Sequence, residues 1–215
     1  MDNDSLLIGK TGSKNFQNIC IDFLDIALAT GLLILCIPGF ILIGVIIKLD
    51  SAGKILFKQA RVGKNGKIFE MLKFRTMYHD TEPSPAHYRS NERGEIEPVI
   101  KIRNNSRVTR AGKFLRKYSL DELPQLINVM KGSMSLVGPR PPVLEEAKIY
   151  NAYQNRRLYG KPGLTGLAQI SGRTDLNFDK IVKLDIEYLQ NRSVGLYLKI
   201  LVLTIPYFIL GKSSY

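Results

Sequence analysis

From Ile26 to Ile47 the chain reads IALATGLLILCIPGFILIGVII, 22 residues without a charge. A straight helix of that length reaches about 33 Å, enough to cross the hydrocarbon core of a bilayer. A helix that is apolar on every side needs a large protein to bury it, and 215 residues leave little chain to do so. The segment is therefore expected in a membrane. Asp22 and Asp25 stand directly before it and no small-residue cleavage site follows, which argues against a removed signal peptide. Pro38-Gly39 falls in the middle of the run, where proline removes a helix hydrogen bond. That leaves two readings: a kinked span, which membrane helices tolerate, or a hairpin that returns to the face it entered. Lys10 and Lys14 precede the run, and Lys48, Lys54, Lys58 and Arg61 follow it. Two basic flanks fit the hairpin.

The run divides the chain. Residues 1–18 are polar and read as a loose leader, residues 19–48 as the membrane segment, and residues 49–193 as a cytoplasmic domain. In residues 194–215, VGLYLKILVLTIPYFILGK is apolar but too short between Lys199 and its end to span, so it is expected to lie in the interface. Within the domain, ILFKQARVGKNGKIFEMLKFRTM alternates apolar and basic residues around Asn65-Gly66, the pattern of a β-hairpin. Residues 80–99 read as a surface loop. Residues 101–117 carry seven basic residues and no acid, with Val108, Ala111, Phe114 and Leu115 at helical spacing, so a basic amphipathic helix is expected. Further helices are expected from Ser119 to Met130, over 142–158 and over 177–191, with the Gly-rich loop KPGLTGLAQISGRT between the last two. These elements predict an α+β domain of mostly helical content. Cys20 and Cys36 have no partner spacing and read as small buried hydrophobes of a reducing compartment.

Lys and Arg outnumber Asp and Glu by 31 to 19, a formal net charge of +12. That excess predicts a polyanionic partner. No nucleic-acid recognition motif is present and aromatics do not interleave the basic run, so nucleic acid is excluded. Anionic lipid and phosphorylated substrates remain.

The stretch RKYSLDELPQL, residues 116–126, sets adjacent carboxylates among these cations. Ser119 and Glu122 match a capping box, with Glu122 then structural. Alternatively the helix proper starts at Pro124 and Asp121 and Glu122 stand on the turn before it. Either way the positive field of a helix N-terminus favours their ionised forms. An ionised Asp121 is a salt-bridge partner or a nucleophile toward phosphorus. Phosphoryl chemistry needs cations to receive the phosphate, and Lys73, Arg75, Arg116 and Arg140 are the candidates. In GPRPP the prolines on both sides of Arg140 restrict its backbone and aim it. Mg²⁺ is the expected helper, because it binds one or two carboxylates together with phosphate oxygens.

LFKQARVG, KFRTM, RKYSLDELPQLINVMKGSMSLVGPRPP and PGLTGLAQISGR, in this order after an apolar segment broken by proline, resemble the bacterial sugar transferase family. These are the small monotopic phosphoglycosyl transferases, and the resemblance covers roughly residues 16–210. It implies transfer of a phospho-sugar from a UDP-sugar to polyprenol phosphate with release of UMP, the first membrane step of surface glycan synthesis. It further implies Asp121 as nucleophile and Mg²⁺ ligand in a ping-pong mechanism, and Glu122 as its assistant. Lys73, Arg116 and Arg140 match family positions near the phosphates, and Gln169 and Arg173 fall in a loop suited to the nucleotide sugar. The implied fold is monotopic: a re-entrant helix–break–helix with interfacial amphipathic helices, on the cytoplasmic face of a bacterial inner membrane among its phospholipids. Ile37 departs from the serine that members often carry before the break proline. The competing expectation is a non-catalytic basic module that binds anionic lipid. It leaves adjacent acids among the cations unexplained. Sugar, glycan pathway, polyprenol and oligomeric state are not readable.

Overall fold

The computed structural model describes residues 11–78, 88–90, 96–98, 107–172 and 176–209. Arg173, the first ten residues and most of the expected loop over 80–99 lie outside the described residues. Helix α1 runs from Thr11 to Asp50, with Pro38 inside it. It thus begins within the stretch expected as a loose leader, where Asn18 accepts a hydrogen bond from Arg192 at 2.6 Å. Two separate parts of α1 face protein. Ile21, Asp25 and Ala29, spaced four apart, are buried, and so are Ile43 and Ile47. Between them Leu32, Ile34, Leu35, Ile37, Ile41 and Leu42 are all exposed.

Strands β1 (Leu56–Val62) and β2 (Ile68–Phe74) form the expected antiparallel hairpin, with Leu56 opposite Phe74 and Val62 opposite Ile68. Asn65 and Gly66 both take positive φ, 56° and 77°. That is the left-handed pair a tight hairpin turn demands. Strands β3 (Tyr88–Ser90) and β4 (Ile96–Pro98) make a second small antiparallel pair.

Helix α2 spans Arg110–Lys117, shorter than the helix expected from residue 101. Val108 instead forms an antiparallel bridge with Met77, and Thr109 is extended. The Tyr78 N–H donates to the Arg107 carbonyl (3.0 Å) and the Thr109 N–H to the Thr76 carbonyl (3.0 Å). Thr109 then caps the helix by accepting from the Gly112 N–H at 2.9 Å. Gly112 is obligatory, since a Cβ there would stand 2.2 Å from the Thr76 oxygen.

The helix expected from Ser119 is broken as well. Ser119 is left-handed (φ 53°) and its side chain caps nothing, so the capping-box reading of Ser119 and Glu122 fails; an N-cap serine needs extended backbone. A single tight turn covers Leu120–Glu122, and α3 begins at Gln125 and ends at Met130, with Pro124 as its cap. The expected helix over 142–158 becomes α4 (Leu144–Lys148), α5 (Ala152–Asn155) and a tight turn, Arg156–Tyr159. Asn151 restarts it with a reciprocal box: Gln154 N–H to Asn151 Oδ1 at 2.9 Å, and Asn151 N–H to Gln154 Oε1 at 3.0 Å.

Strands β5 (Ser135–Val137) and β6 (Gly163–Thr165) pair in parallel, so the expected Gly-rich loop contains a strand, followed by the short helix α6 (Leu167–Ile170). Helices α7 (Phe178–Gln190) and α8 (Val194–Ile209) complete a mostly helical α+β chain with small sheets. The main core joins Ile21 and Ala29 of α1 to Leu126 and Val129 of α3, Leu136 and Val137 of β5, and Tyr197 and Ile200 of α8. A second cluster joins Ile43 and Ile47 to Phe74 and Leu115. Among the described residues, one helix is long and apolar enough to cross a membrane, and it is largely uncovered by protein, which supports membrane association.

Candidate active site

The site forms where the base of the hairpin meets the turn before α3. Asn128 of α3 fixes that junction: its Oδ1 accepts from the Leu72 N–H (3.0 Å) and its Nδ2 donates to the Glu70 carbonyl (2.7 Å). With α3 pinned to β2, Lys73 is presented to the carboxylates at the head of α3. Its ammonium donates to Glu122 Oε1 at 2.7 Å, in a pair whose side chains are 12% and 14% exposed. Arg140 approaches the same oxygen at 3.7 Å.

The loop that carries Arg140 is held by its carbonyls. Prolines offer no N–H of their own, yet four successive C=O groups find donors. Pro139 accepts from the Gly163 N–H (2.9 Å), Arg140 from the Arg157 guanidinium (3.4 Å), Pro141 from Arg61 Nη1 (3.0 Å) and Pro142 from the Val62 N–H (3.1 Å). Gly138 packs so closely on the 161–166 segment that a Cβ would stand 2.4 Å from the Lys161 oxygen. These bonds hold the backbone of the loop, while the Arg140 side chain itself is 44% exposed.

Asp121 lies on the Leu120–Glu122 turn, 2% exposed, and its Oδ1 has no hydrogen-bond partner among the described residues. Burial pushes its carboxyl above the ordinary value. Lys73 and Arg116 pull it back, and Glu122 pushes it further up. The sequence expectation that a helix N-terminus would favour the ionised form needs correcting. The following helix is six residues long and carries little dipole, so desolvation dominates. Arg116 is held nearby by its Nε donating to Thr76 Oγ1 at 2.8 Å.

Arg75 goes elsewhere. Its guanidinium closes the C-terminus of α1, donating to the carbonyls of Ala52 (2.6 Å), Ser51 (2.6 Å) and Ile47 (3.3 Å) and to Ser51 Oγ (3.0 Å). A cation there satisfies orphan carbonyls and complements the helix dipole. Gln169 sits half-buried on α6, its Oε1 folded over Gly166, and Gly166 in turn abuts the Gly138 carbonyl. That places Gln169 beside the Arg140 loop.

One supporting group was not legible in the sequence. Arg157 and Asp185 form a buried pair at 2.5 Å, and Arg157 Nη1 donates to the Tyr150 hydroxyl at 2.9 Å. Burial pushes the Asp185 carboxyl up against the pull of Arg157, and pushes the Tyr150 hydroxyl up to about 12. Through its bond to the Arg140 carbonyl, this group reaches the site. Asn128 likewise carried no local signal. No group of three metal-ligating acids, histidines or cysteines occurs among the described residues.

A buried acid thus stands next to an ion-paired acid, with cations serving both, in a chain whose long apolar helix supports membrane association. The sequence profile described as bacterial sugar transferase matches residues 16–211. Galactosyl transferase CpsE of Streptococcus agalactiae serotype III (strain NEM316) is 46% identical over 194 residues, 89% of this chain and 42% of that protein. The exopolysaccharide production protein ExoY of Rhizobium meliloti (strain 1021) is 42% identical over 194 residues, 89% of this chain and 86% of ExoY. The undecaprenyl-phosphate galactose phosphotransferase of Salmonella typhimurium (strain LT2) is 41% identical over 170 residues, 78% of this chain and 36% of that enzyme. The chain therefore spans most of ExoY but less than half of the other two. It belongs to the bacterial sugar transferase family and is a transferase by that membership.

Proposed function

We propose that this chain transfers a sugar 1-phosphate from a UDP-sugar to polyprenol phosphate, with Asp121 as the nucleophile. The observation that carries the reading is the buried Asp121 carboxylate, with one oxygen unpartnered, beside a glutamate that Lys73 and Arg140 hold in place. An Asp121 oxygen attacks the phosphorus that bears the sugar. The bond from that phosphorus to the oxygen bridging the two phosphates breaks, and UMP leaves with the electron pair. An oxygen of polyprenol phosphate then attacks the same phosphorus and expels the Asp121 carboxylate, giving the polyprenol diphosphate sugar. Splitting the transfer in two lets one acid serve both halves.

The protein's part is positioning and charge. Arg140 and Arg116 neutralise phosphate oxygens, a role suited to the planar guanidinium fork. Glu122 keeps Lys73 in place beside Asp121. The Asp121 Oδ1 fits a Mg²⁺ ion that takes one carboxylate and completes its shell from phosphate oxygens and water; such an ion would neutralise the diphosphate as charge moves onto UMP. The Salmonella relative's name supports a polyprenol phosphate acceptor.

The membrane segment is read as re-entrant. Asp25 accepts from the Leu136 N–H at 2.8 Å, while the Ile47 carbonyl accepts from Arg75. Residues on both sides of the apolar middle are thus bonded to one domain, which fits a segment that dips into the cytoplasmic face of the bacterial inner membrane and returns.

The test is incubation of the detergent-extracted protein with Mg²⁺, polyprenol phosphate and a panel of UDP-sugars, following UMP. Donor alone should yield at most one UMP per protein and a sugar-phosphate adduct on Asp121 by mass spectrometry. No UMP from any donor, by folded protein, would defeat the reading.

A further inference from the structure

Away from the dyad, a cleft of about 270 Å³ opens between the N-terminal part of α1, the tip of the hairpin and the α7–α8 junction. Lys64, Arg156, Lys161 and Arg192 line it, against the single carboxylate of Asp22. Lys64 belongs to the turn that opens β2, and about 17 Å of strand separates that end of the hairpin from Lys73. The cleft therefore lies at the far end of the hairpin from the site described above.

Four cations gathered around one acid repel each other unless an anion joins them. Asp22 answers only part of that charge: Lys161 Nζ stands 3.0 Å from its Oδ1 and Arg192 Nη2 3.9 Å. Arg192 is held in place by Nη1 donating to Asn18. Its Nη2 and the Nε of Arg156 are both buried without a hydrogen-bond partner among the described residues. Buried guanidinium donors are costly to leave unmade, and both belong to residues of the cleft wall. Lys64 is exposed, and half-exposed Tyr159 completes the mouth.

The cleft also sits at the root of both apolar helices. Asp22 is four residues before the uncharged run, and Arg192 two residues before α8. Phe16, Ile19 and Phe23, exposed on α1, lie along the same stretch. A group that bears phosphate at headgroup depth meets these cations directly.

We propose that this cleft is a second anion site, built for a phosphate group: the phosphodiester of an anionic phospholipid headgroup, or a free phosphate. Arginine pairs serve phosphate oxygens through parallel N–H donors, and the lysines add point charge. The assignment does not depend on the chemistry of Asp121.

The chain contains no Trp, so Tyr159→Trp in the full-length protein, in zwitterionic micelles, gives a single fluorescent reporter. It is titrated at constant ionic strength with dihexanoyl phosphatidylglycerol, with inorganic phosphate, and with dihexanoyl phosphatidylcholine. A saturable change is expected with an anionic ligand and none with phosphatidylcholine. It should weaken by about ten-fold in Lys64→Ser/Arg156→Ser, as for the loss of a charge-assisted contact. Among the described residues neither side chain ties two elements together: Arg156 overlies the Tyr153 ring at 5.9 Å. Lys64→Ser alone serves if the double variant melts early. Response to phosphatidylglycerol but not phosphate assigns the headgroup; response to both assigns the phosphate itself. No saturable change, an equal response to phosphatidylcholine, or undiminished affinity in the variants overturns the proposal.

Discussion

Burying a carboxylate with one oxygen unpartnered, as at Asp121, costs stability of order 1–3 kcal/mol. A residue kept for reactivity tolerates such a cost; one kept for the fold would not. Asp121→Asn should therefore abolish turnover and at the same time raise the melting temperature, by about 2–4 °C for each kcal/mol recovered. The pH dependence follows from the direction of the shift. Asp121 titrates above the ordinary 3.8, so its contribution to stability is complete below 3.8 and is lost as pH rises through the raised value. The gap in melting temperature between variant and wild type should be widest near neutrality and close on acidification. A constant gap across pH would show that Asp121 is not shifted upward. Arg75 makes a contrasting case. Its four hydrogen bonds close α1, so Arg75→Ala should lower stability by roughly 2–4 kcal/mol and leave the donor KM unchanged. A raised KM with unchanged melting would return Arg75 to the phosphate-binding set.

At the scale of elements, the Arg140 loop and β6 are stitched so tightly that an added side chain would have to shift backbone. A Cβ on Gly138 would meet backbone at 2.4 Å and 2.9 Å, whereas nothing lies within 4 Å of Gly195. Gly138→Ala should cost about 1–3 kcal/mol as overpacking and lower kcat by displacing Arg140, while Gly195→Ala should be silent in both assays. Elements set by short-range chemistry were readable in advance: Asn65-Gly66 announced its hairpin, and the apolar run its helix. Elements set by long-range backbone pairing were not. Val108 falls on the helical spacing, but its neighbours pair with 76–78, the Arg107 carbonyl accepting from the Tyr78 N–H and the Thr109 N–H donating to the Thr76 carbonyl, and Ser119 has a cap's chemistry in a left-handed conformation. The dyad was legible because its residues adjoin. Arg157 and Asp185 stand 28 residues apart and read singly as surface charges. Arg75 was named as a candidate for its charge alone, and charge does not say that its guanidinium bonds the end of α1.

For the molecule as a whole, the path of α1 decides on which side of the membrane the chemistry happens. Asp25 is hydrogen-bonded to β5 and to the Tyr197 hydroxyl of α8, while Ile47 and Ser51 are bonded to Arg75 at the end of β2. A straight helix would separate Asp25 from Ile47 by about 33 Å, the thickness of the hydrocarbon core. Were α1 to cross, β5 and β2 would lie on opposite faces. Leu123 argues against that, since it packs against both the cluster of Ile21 and the cluster of Ile47. On the re-entrant path proposed above, the exposed residues from Leu32 to Leu42 would enter and leave the bilayer through one face, with Pro38-Gly39 the natural place to yield. In a Cys20→Ala/Cys36→Ala background, single cysteines at Asn15→Cys and Lys54→Cys flank the run. Both should react with a membrane-impermeant maleimide in inside-out vesicles, and neither in right-side-out cells. Labelling of the two from opposite sides would mean a true span, and would require Asp25 to leave the bonds it makes to Leu136 and Tyr197.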